Sequence, residues 1–336
     1  MVKKPIILAI ESSCDETSAA IIVNGKIANN IVATQSVHEN YGGVVPELAS
    51  RAHEKHIVPI VDEAIKNAGI TLQDLDAIAF TQGPGLLGAL LVGASFAKSL
   101  SFALGIPLIG INHMQAHILA HFLEEPHPKF PFLCLTVSGG HTQIVKVDSP
   151  LDMEVIGQTL DDAVGEAFDK SAKLMGFSYP GGPLIDSYAE KGDVNKFIFS
   201  DASIEGLNFS FSGIKTAFMY FLRDKIAENA NFIEENKADI CASLQHSLVR
   251  MLLQKLKKAS DQTKIREIAI AGGVSANNGL RKGLSVVAEK KKWNIYIPKL
   301  EYCTDNAAMI AMNAHFKFLE NKFCDLKTTP QPRMVI

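Results

Sequence analysis

The sequence has few cysteines, and their arrangement suggests neither a disulfide framework nor a zinc ribbon. Its five cysteines are widely separated, and none of them forms a C-x-x-C pair. Small disulfide-rich secreted domains usually carry an even number of cysteines at short spacings. We therefore expect free thiols and a reducing, cytoplasmic compartment.

Long apolar runs are also missing. The longest, GLLGALLVGASFA at 85–97, is shorter than the ~20 residues that span a bilayer. The N-terminal run PIILAI ends at Glu11, which is too early for the core of a signal peptide. We expect no association with a membrane.

An excess of positive charge is absent as well. Lys and Arg number 33 and Asp and Glu 36, so the net charge is −3, and bulk charge does not indicate a nucleic-acid-binding protein. The short basic runs KLKK at 255–258 and EKKKW at 289–293 are typical of solvated helix faces. With 336 residues, 47% of them hydrophobic, the chain is long enough for two domains.

Two halves of the chain repeat the same pattern. A buried strand, a polar turn and a partner strand occur at PIILAIESSCDETSAAIIV and again from FLCLTVSGGHTQIVKV, and Asn24-Gly25 predicts a hairpin turn in the first half. A strand, a Gly-rich turn and a helix follow at 77–101 and again at 267–290. This duplication predicts two similar α/β halves that face each other across a cleft.

Three histidines recur every four residues in INHMQAHILAHF. On a helix His113, His117 and His121 would share one face, which suits either a metal site or a solvated polar stripe. Asp305 begins the equivalent helix of the second half, and the duplication would bring it to the histidines. Two histidines and a carboxylate suit Fe(II), and zinc is compatible; a helix N-cap is the alternative for Asp305, with Thr304 as the competing cap.

Two glycine-rich turns could hold an anionic group. Gly139 and Gly140 follow a strand in TVSGGHT, and Gly272 and Gly273 precede a helix in GGVSANNGLR. Backbone N–H groups in such turns can hold phosphate, although a plain strand-to-strand turn remains the alternative for the first.

Acidic residues occur at two further places. Asp162, Glu166 and Asp169 are spaced to share a helical face, which is most often a solvated stripe. In the turn SSCDETS we expect Asp15 and Glu16 to direct carboxylates into the cleft. A helix is expected to start at Pro46, with His53 and His56 at the surface.

Nine motifs together resemble the TsaD family of tRNA adenosine threonylcarbamoyltransferases, formerly called glycoproteases or O-sialoglycoprotein endopeptidases. They occur in the family's order from residue 7 to about 315: ESSCDETS, GPG, HMQAH, VSGGHT, EAFDK, YPGGPLID, FSFSGIKTA, GGVSANNGLR and CTDNAAM. No chemistry is assigned to FSFSGIKTA. The resemblance implies the duplicated fold of actin, Hsp70 and sugar kinases (ASKHA), with two lobes around a central nucleotide cleft.

We expect an N-terminal lobe at 1–130 and a C-terminal lobe at 131–325, the latter with a helical insertion at about 160–260. Residues 326–336 are expected to form a tail. Whether the C-terminal helix crosses back to pack on the N-terminal lobe is left open.

The resemblance also implies the reaction and its residues. Threonylcarbamoyl passes from threonylcarbamoyl-AMP to the exocyclic amine of adenosine 37 in tRNAs that read codons beginning with A, and AMP is released. The implied metal is Fe(2+), and Asp15 is expected to orient or deprotonate the acceptor amine. The matched positions are the metal ligands His113, His117 and Asp305, and the substrate-binding residues Thr136, Val137, Ser138, Gly139, Gly140, Asp169, Gly182 and Asn277; Asp186 is added as a second ribose contact.

The implied partners are tRNA, a TsaB-type paralogue that docks on the helix after Pro46, and a TsaE-type ATPase. A homodimer of the isolated chain is left open. A metalloprotease is disfavoured because Met114 and Gln115 follow His113, where an H-E-x-x-H protease has its glutamate base. An ATPase or sugar kinase on the same fold needs no histidine pair, and a docking subunit without activity would not need these ligands.

Overall fold

The computed structural model describes residues 4–33, 35, 41, 43–199 and 204–336. These residues form two compact units. Unit 1 contains the described residues of Met1–His127, together with Ser149–Met153 and Lys299–Ile336. Unit 2 contains Pro128–Asp148 and Glu154–Pro298, so its two segments alternate along the chain with the three segments of unit 1.

Two five-stranded sheets form the frame of the described chain. Their strands are β1 (Ile6–Glu11), β2 (Thr17–Val23), β3 (Lys26–Ala33), β4 (Ala77–Gly83), β5 (Leu108–Asn112), β6 (Phe132–Val137), β7 (Thr142–Ser149), β8 (Asp152–Gln158), β9 (Glu267–Ala271) and β10 (Asn294–Tyr296). Sheet 1 has the order β3-β2-β1-β4-β5 and sheet 2 the order β8-β7-β6-β9-β10. The first strand of each pairs antiparallel with the second and parallel with the fourth. Strand for strand the two sheets correspond, which confirms the predicted duplication and the α/β class.

Nine α-helices lie in the described residues. They are α1 (Pro46–Asn67), α2 (Leu87–Leu104), α3 (His113–Leu119), α4 (Val164–Leu174), α5 (Gly181–Ala189), α6 (Ser212–Glu228), α7 (Phe232–Thr263), α8 (Asn278–Lys291) and α9 (Ala307–Leu319). Helix α2 follows β4 as α8 follows β9, and α3 follows β5 as α9 follows β10. Four helices, α4–α7, lie between β8 and β9, where the described residues of the first half have the single α-helix α1 between β3 and β4.

The centre of unit 1 is a sheet that is covered on both faces. Leu8 and Ile10 of β1 pack with the apolar side of α1, whereas Ile7 and Ala9 pack with α9. Successive side chains of a strand point to opposite faces, so β1 must be apolar throughout to satisfy both layers. This explains why its sequence is a continuous hydrophobic run.

The turn between β2 and β3 has the predicted form. Asn24 has φ 50° and Gly25 has φ 78°, the left-handed values that a two-residue hairpin turn requires. Glycine and asparagine adopt this conformation at low cost, and the Asn-Gly pair is therefore confirmed as a hairpin.

Helix α2 is long and apolar enough to cross a membrane by length and composition alone, and no other described helix is. The core helix of a soluble protein passes the same test. In this structure Ala94 and Ala97 of α2 pack in the buried layer beside β1 and β4. One such helix is weak evidence for a membrane span.

The prediction that His53 lies at the surface is wrong. His53 is fully buried on the inner face of α1. Its Nε2 lies 2.9 Å from the carbonyl oxygen of Cys14, and its Nδ1 lies 2.8 Å from Oγ1 of Thr17. Because a carbonyl only accepts, Nε2 carries the proton and Nδ1 accepts from the hydroxyl. The histidine therefore fixes α1 to the turn between β1 and β2.

Candidate metal centre and substrate site

Helix α3 places two histidines one turn apart immediately after β5. The side chain of Asn112 caps the helix and accepts hydrogen bonds from the backbone N–H groups of Met114 and Gln115. The cap starts the helix at His113, so His117 lies one turn further on the same face. Both side chains are buried, and the face they share is therefore not a solvated stripe.

The carboxylate of Asp305 meets both rings. Its Oδ1 lies 3.3 Å from Nε2 of His113 and 3.1 Å from Nε2 of His117. The three ligand atoms lie within 4.8 Å of one another, which is close enough for one ion to contact all of them. Two imidazoles and a carboxylate suit a divalent transition metal. The arrangement suits a metal site and leaves the identity of the metal open.

Asp305 does not cap α9, and the helix does not begin there. The cap is Asn306, whose side chain accepts from the backbone N–H of Met309, and the helix starts at Ala307. Asp305 belongs to unit 1, as do both histidines. The three ligands therefore meet within one unit, because α9 packs on sheet 1 rather than on sheet 2.

The charges around this site favour a cation. Burial disfavours the charged forms, but His113 and then His117 hold the pKa of Asp305 well below its usual range. Burial also opposes the protonation of His113, yet the carboxylates of Asp305 and Glu11 raise its pKa well above the ordinary value. A divalent ion on the two Nε2 atoms would supply the positive charge that these carboxylates otherwise draw from a proton.

His121 is not part of this group. Helix α3 ends at Leu119, and His121 lies in the following 3-10 turn, Ala120–Phe122. It is buried, and the side chains that could hold one metal ion are those of His113, His117 and Asp305.

Sequence reasoning missed Glu11, the residue behind His113. Glu11 ends β1, is fully buried, and its Oε2 accepts from Nδ1 of His113 at 3.1 Å and from Oγ1 of Thr81 at 2.7 Å. Its other oxygen accepts from the backbone N–H of Ser13. With Nδ1 protonated, Nε2 of His113 keeps its lone pair for a metal. A carboxylate at the end of the buried strand run PIILAI was the available signal.

The acidic turn after β1 lies in the same unit. Asp15 and Glu16 are half-buried. Burial, followed by the carboxylates of Asp305 and Asp15, raises the pKa of Glu16 to about 9. Burial and the same carboxylates also raise the pKa of the Cys14 thiol. A raised pKa disfavours the thiolate that a cysteine nucleophile needs.

In unit 2, β6 ends in the loop predicted to hold phosphate. Ser138 closes this loop: its N–H donates to the carbonyl of His141, and its Oγ accepts from the N–H of His141. Gly139 and Gly140 are exposed, and a Cβ on either would have nothing within 4 Å. Thr136 and Val137 are buried within the strand. The accessible part of the predicted segment is therefore Ser138–Gly140.

Helix α5 carries or contacts three of the predicted substrate residues. Oδ1 of Asp169 accepts from the backbone N–H groups of Gly181 and Gly182 at 2.9 and 3.1 Å. Further along α5, Asp186 accepts from the backbone and side chain of Asn278, both at 3.0 Å. Burial raises the pKa of Asp169. These carboxylates thus cap the starts of α5 and α8, and their expected contacts with ribose stay predictions.

Asn277 is the N-cap of α8. Its Oδ1 accepts from the N–H of Leu280 at 2.8 Å, and its Nδ2 donates to Oε1 of Gln245 at 2.7 Å. It lies one residue before Asn278, which binds Asp186. Asp169, Gly182, Asp186 and Asn277 are therefore brought together in unit 2 around the starts of α5 and α8.

The prediction that Asp162, Glu166 and Asp169 share one helical face is wrong for Asp162. Asp162 precedes α4, which begins at Val164 with Ala163 as its cap, so Asp162 shares no helical face with Glu166. It is held instead by Lys170 and Lys215 at 3.0 and 2.9 Å. Lys215 belongs to the motif FSFSGIKTA. This motif, unassigned from sequence, fastens the start of α6 to the segment before α4.

The fold and the site define a class before any relative is considered: a duplicated α/β protein with a buried two-histidine, one-carboxylate group at the start of α3. Solved structures share the fold. HypF from T. kodakarensis aligns with a TM-score of 0.64 at 16% identity, over 95% of this chain and 48% of that one. Component A of (R)-2-hydroxyglutaryl-CoA dehydratase from Acidaminococcus fermentans aligns with a TM-score of 0.54 at 13% identity, over 93% and 98%.

Sequence relatives identify the family within this class. The model of the TsaD family, described as tRNA N6-adenosine threonylcarbamoyltransferase, matches residues 26–312. Proteins of that name are 56% identical in Porphyromonas gingivalis, over all of both chains, and 60% identical in Christiangramia forsetii, over 97% of both. The chain belongs to the TsaD family.

Proposed function

We propose that this protein transfers the threonylcarbamoyl group from threonylcarbamoyl-AMP to the exocyclic amine of adenosine 37 in tRNAs that read codons beginning with A. The relatives that carry the transferase name match it along its whole length. The observation that carries the proposal is the meeting of His113, His117 and Asp305 within 4.8 Å. A docking paralogue or a kinase on this fold would have no use for that group.

The reaction is an acyl transfer. The adenosine amine attacks the carbamoyl carbon, a C–N bond forms, and the bond from that carbon to the phosphate oxygen breaks. AMP leaves with the electron pair, and the amine gives up a proton. Asp15 is the residue we assign to orient the amine and accept this proton, which is the usual work of a general base.

The substrate residues of unit 2 have separate roles in this proposal. The N–H groups of Gly139 and Gly140 bind the phosphate of the donor, since nothing in the fold crowds them. Asp169 and Asp186 accept hydrogen bonds from ribose hydroxyls, and Asn277 contacts the nucleotide. A divalent metal, Fe(2+) by family resemblance and zinc by ligand chemistry, would supply Lewis acidity when bound to His113, His117 and Asp305.

A TsaB-type paralogue is the partner we propose for α1 and α2. These helices expose large apolar side chains to solvent: Val58 is 60% exposed, Leu87 53%, Leu91 46% and Phe102 76%. Exposed apolar side chains of this size on neighbouring helices suit a protein contact. A homodimer through the same helices is the alternative for the isolated chain. A TsaE-type ATPase is expected in the complete complex.

A cytoplasmic location agrees with the cysteines, since all five are free. The metalloprotease alternative remains unfavourable. The position next to His113 is occupied by Met114, which is 2% exposed and packs in the core, so no base lies where a zinc protease needs one.

The test uses the purified chain with its TsaB-type and TsaE-type partners, threonylcarbamoyl-AMP and an unmodified tRNA. Mass spectrometry of the digested tRNA should show threonylcarbamoyladenosine, and His117→Ala should abolish it. A His121→Asn variant, altered in the neighbouring histidine, should retain the product. A folded, metal-loaded complex that forms no product would overturn the proposal.

A further inference from the structure

A groove runs between α7 and α8 on unit 2. Its volume is about 530 Å³. Apolar side chains form its floor, among them Val249, Leu253 and Val286, and Val286 is 54% exposed. Basic side chains line it as well: His246, Arg250, Lys257 and Lys282. None of the described residues that line the groove is acidic.

The charge of these two helices is opposite to that of the whole protein. Residues 250–263 of α7 and 278–291 of α8 together contain eight Lys or Arg residues and two Asp or Glu residues, in a chain whose net charge is −3. The sequence places the basic runs KLKK and EKKKW far apart. In the structure α7 and α8 pack side by side, and Lys291 of one run pairs with Asp261 beside the other. Lys257 of the first run and Lys282 of α8 therefore line one groove, although they are separated along the chain.

Several of these cations are held by the protein itself. Lys255 donates to the backbone carbonyls of Ile204 and Gly206, and Arg281 donates to those of Ser275 and Pro298. Lys282 has a weaker partner, because its distance to Glu190 is 3.7 Å and both side chains are at least half exposed. Such an exposed pair contributes little, so a polyanion can replace it at small cost.

The groove ends beside the predicted nucleotide site. Gln245 lines the groove and accepts the hydrogen bond from Nδ2 of Asn277, and Gly279 of α8 lines it too. A ligand that lies along the groove therefore comes within one side chain of Asn277. The position of the groove beside Asn277 therefore favours an anionic ligand that also reaches the site of the donor nucleotide.

We propose that this groove binds the phosphate backbone of the substrate tRNA, an inference that rests on the proposed function. Phosphate contacts to Lys and Arg supply most of the affinity of proteins for nucleic acid, and they fix its position. Since the chain as a whole is acidic, such contacts must come from a local surface of this kind. Lys257 and Lys282 hold phosphates at the two walls of the groove, and the apolar floor receives an unstacked base or ribose.

The test measures binding of an unmodified tRNA to the full chain with its partners, as a function of salt. In the variant Lys257→Glu/Lys282→Glu we expect the affinity for tRNA to fall about tenfold or more. The magnitude of the slope of log K against log salt should decrease by about 2, because each lost phosphate contact removes about 0.9 from it. The milder Lys257→Gln/Lys282→Gln should change both in the same direction. The control Lys322→Glu/Lys327→Glu reverses two exposed lysines of unit 1 and should leave both unchanged.

Steady-state kinetics distinguish a failure of this inference from a failure of the proposed function. The groove variants should raise KM for tRNA and keep kcat at saturating tRNA and the affinity for threonylcarbamoyl-AMP. Unchanged tRNA affinity in variants that still transfer would overturn the groove assignment alone. Loss of affinity for a polyglutamate peptide, with tRNA binding retained, would also overturn it and indicate an acidic protein partner. If the wild-type complex neither binds tRNA nor modifies it, both proposals fail.

Discussion

Oε2 of Glu11 lies 3.1 Å from Nδ1 of His113, while Nε2 of the same ring lies 3.3 Å from Oδ1 of Asp305. One imidazole thus connects a fully buried carboxylate to the carboxylate of Asp305. Glu11 is the group that keeps the proton on Nδ1 when Nε2 gives its lone pair to a metal.

Replacing Glu11 by Gln should therefore weaken metal binding although no ligand is removed. The loss of such an outer partner typically costs about 10- to 100-fold in metal affinity. A Co(2+) titration followed by visible absorption would report both the affinity and the ligand geometry. Glu63→Gln, an exposed change on α1, is the control. An unaltered Co(2+) spectrum and affinity in Glu11→Gln would contradict the role.

His117→Ala should remove the metal from the site. We expect the metal content of the purified protein to fall from about one ion per chain to near zero, and transfer to fall by roughly two orders of magnitude or more, because a Lewis acid supplies several kcal/mol. Elemental analysis and product formation are the two measurements. A variant without metal that transfers at the normal rate would show that the ion is structural.

Asp15→Asn should reduce transfer about 10²- to 10⁴-fold, the usual contribution of a general base. Metal content and the affinity for threonylcarbamoyl-AMP should stay at the wild-type level, because Asp15 is not one of the three ligands. Asp148→Asn, in unit 2, is the comparison. A wild-type transfer rate in Asp15→Asn would rule out the assignment.

Gly181 and Gly182 are neighbours whose alanine variants can be compared directly. A Cβ on Gly181 would lie 2.2 Å from Cβ of Ala172, whereas a Cβ on Gly182 would meet only Cβ of Phe168, at 3.8 Å. Gly181→Ala should destabilise the fold by about 1–3 kcal/mol through overpacking. Gly182→Ala should keep the stability. It should raise KM for threonylcarbamoyl-AMP by roughly 5- to 150-fold, because its methyl group would meet the substrate at a cost of about 1–3 kcal/mol.

Thermal unfolding and steady-state kinetics of both glycine variants make this comparison. A normal KM in Gly182→Ala would place the substrate elsewhere. A stable Gly181→Ala would contradict the close contact between α4 and α5.

Stability should depend on pH through His53. Burial lowers the pKa of His53 below its ordinary value of 6.5, so the unfolded chain binds a proton more readily than the folded one. The stabilisation is complete above pH 6.5 and is lost as the pH falls toward the folded pKa. Urea unfolding between pH 5 and 8 should show this decline. The fall in unfolding free energy with pH should be less steep in His53→Gln. This variant should also be less stable by about 1–3 kcal/mol, because it loses the hydrogen bonds of His53. Equal pH slopes in the two proteins would contradict the assignment.

The features that were predicted correctly from the sequence are those that depend on a local pattern of residues. The duplicated strands, the Asn-Gly hairpin and the helix that carries His113 and His117 each follow from periodicity or turn chemistry within a few residues. The spacing of His113 and His117 likewise placed both on one helical face.

The errors concern relationships between distant segments. His53 has the neighbours of a surface residue in the chain, and only the packing of α1 on the turn before Thr17 buries it. Glu11 was missed because its partners, Thr81 and His113, come from two other elements. The proximity of Lys257 and Lys282 at one groove likewise depends on the packing of α7 on α8, which neither basic run shows by itself.

The placement of α9 has a consequence for the order in which the protein is made. One buried layer of sheet 1 is completed by residues 307–314, and the third ligand is Asp305, so the first strands leave the ribosome long before their covering helix. All of Pro128–Asp148 and Glu154–Pro298 is synthesised in between. During translation, unit 2 has its whole sequence available and can fold first, while the nascent sheet 1 keeps an apolar face open. A message broken before codon 305 would yield a chain that can neither close this face nor supply Asp305 to the candidate metal centre.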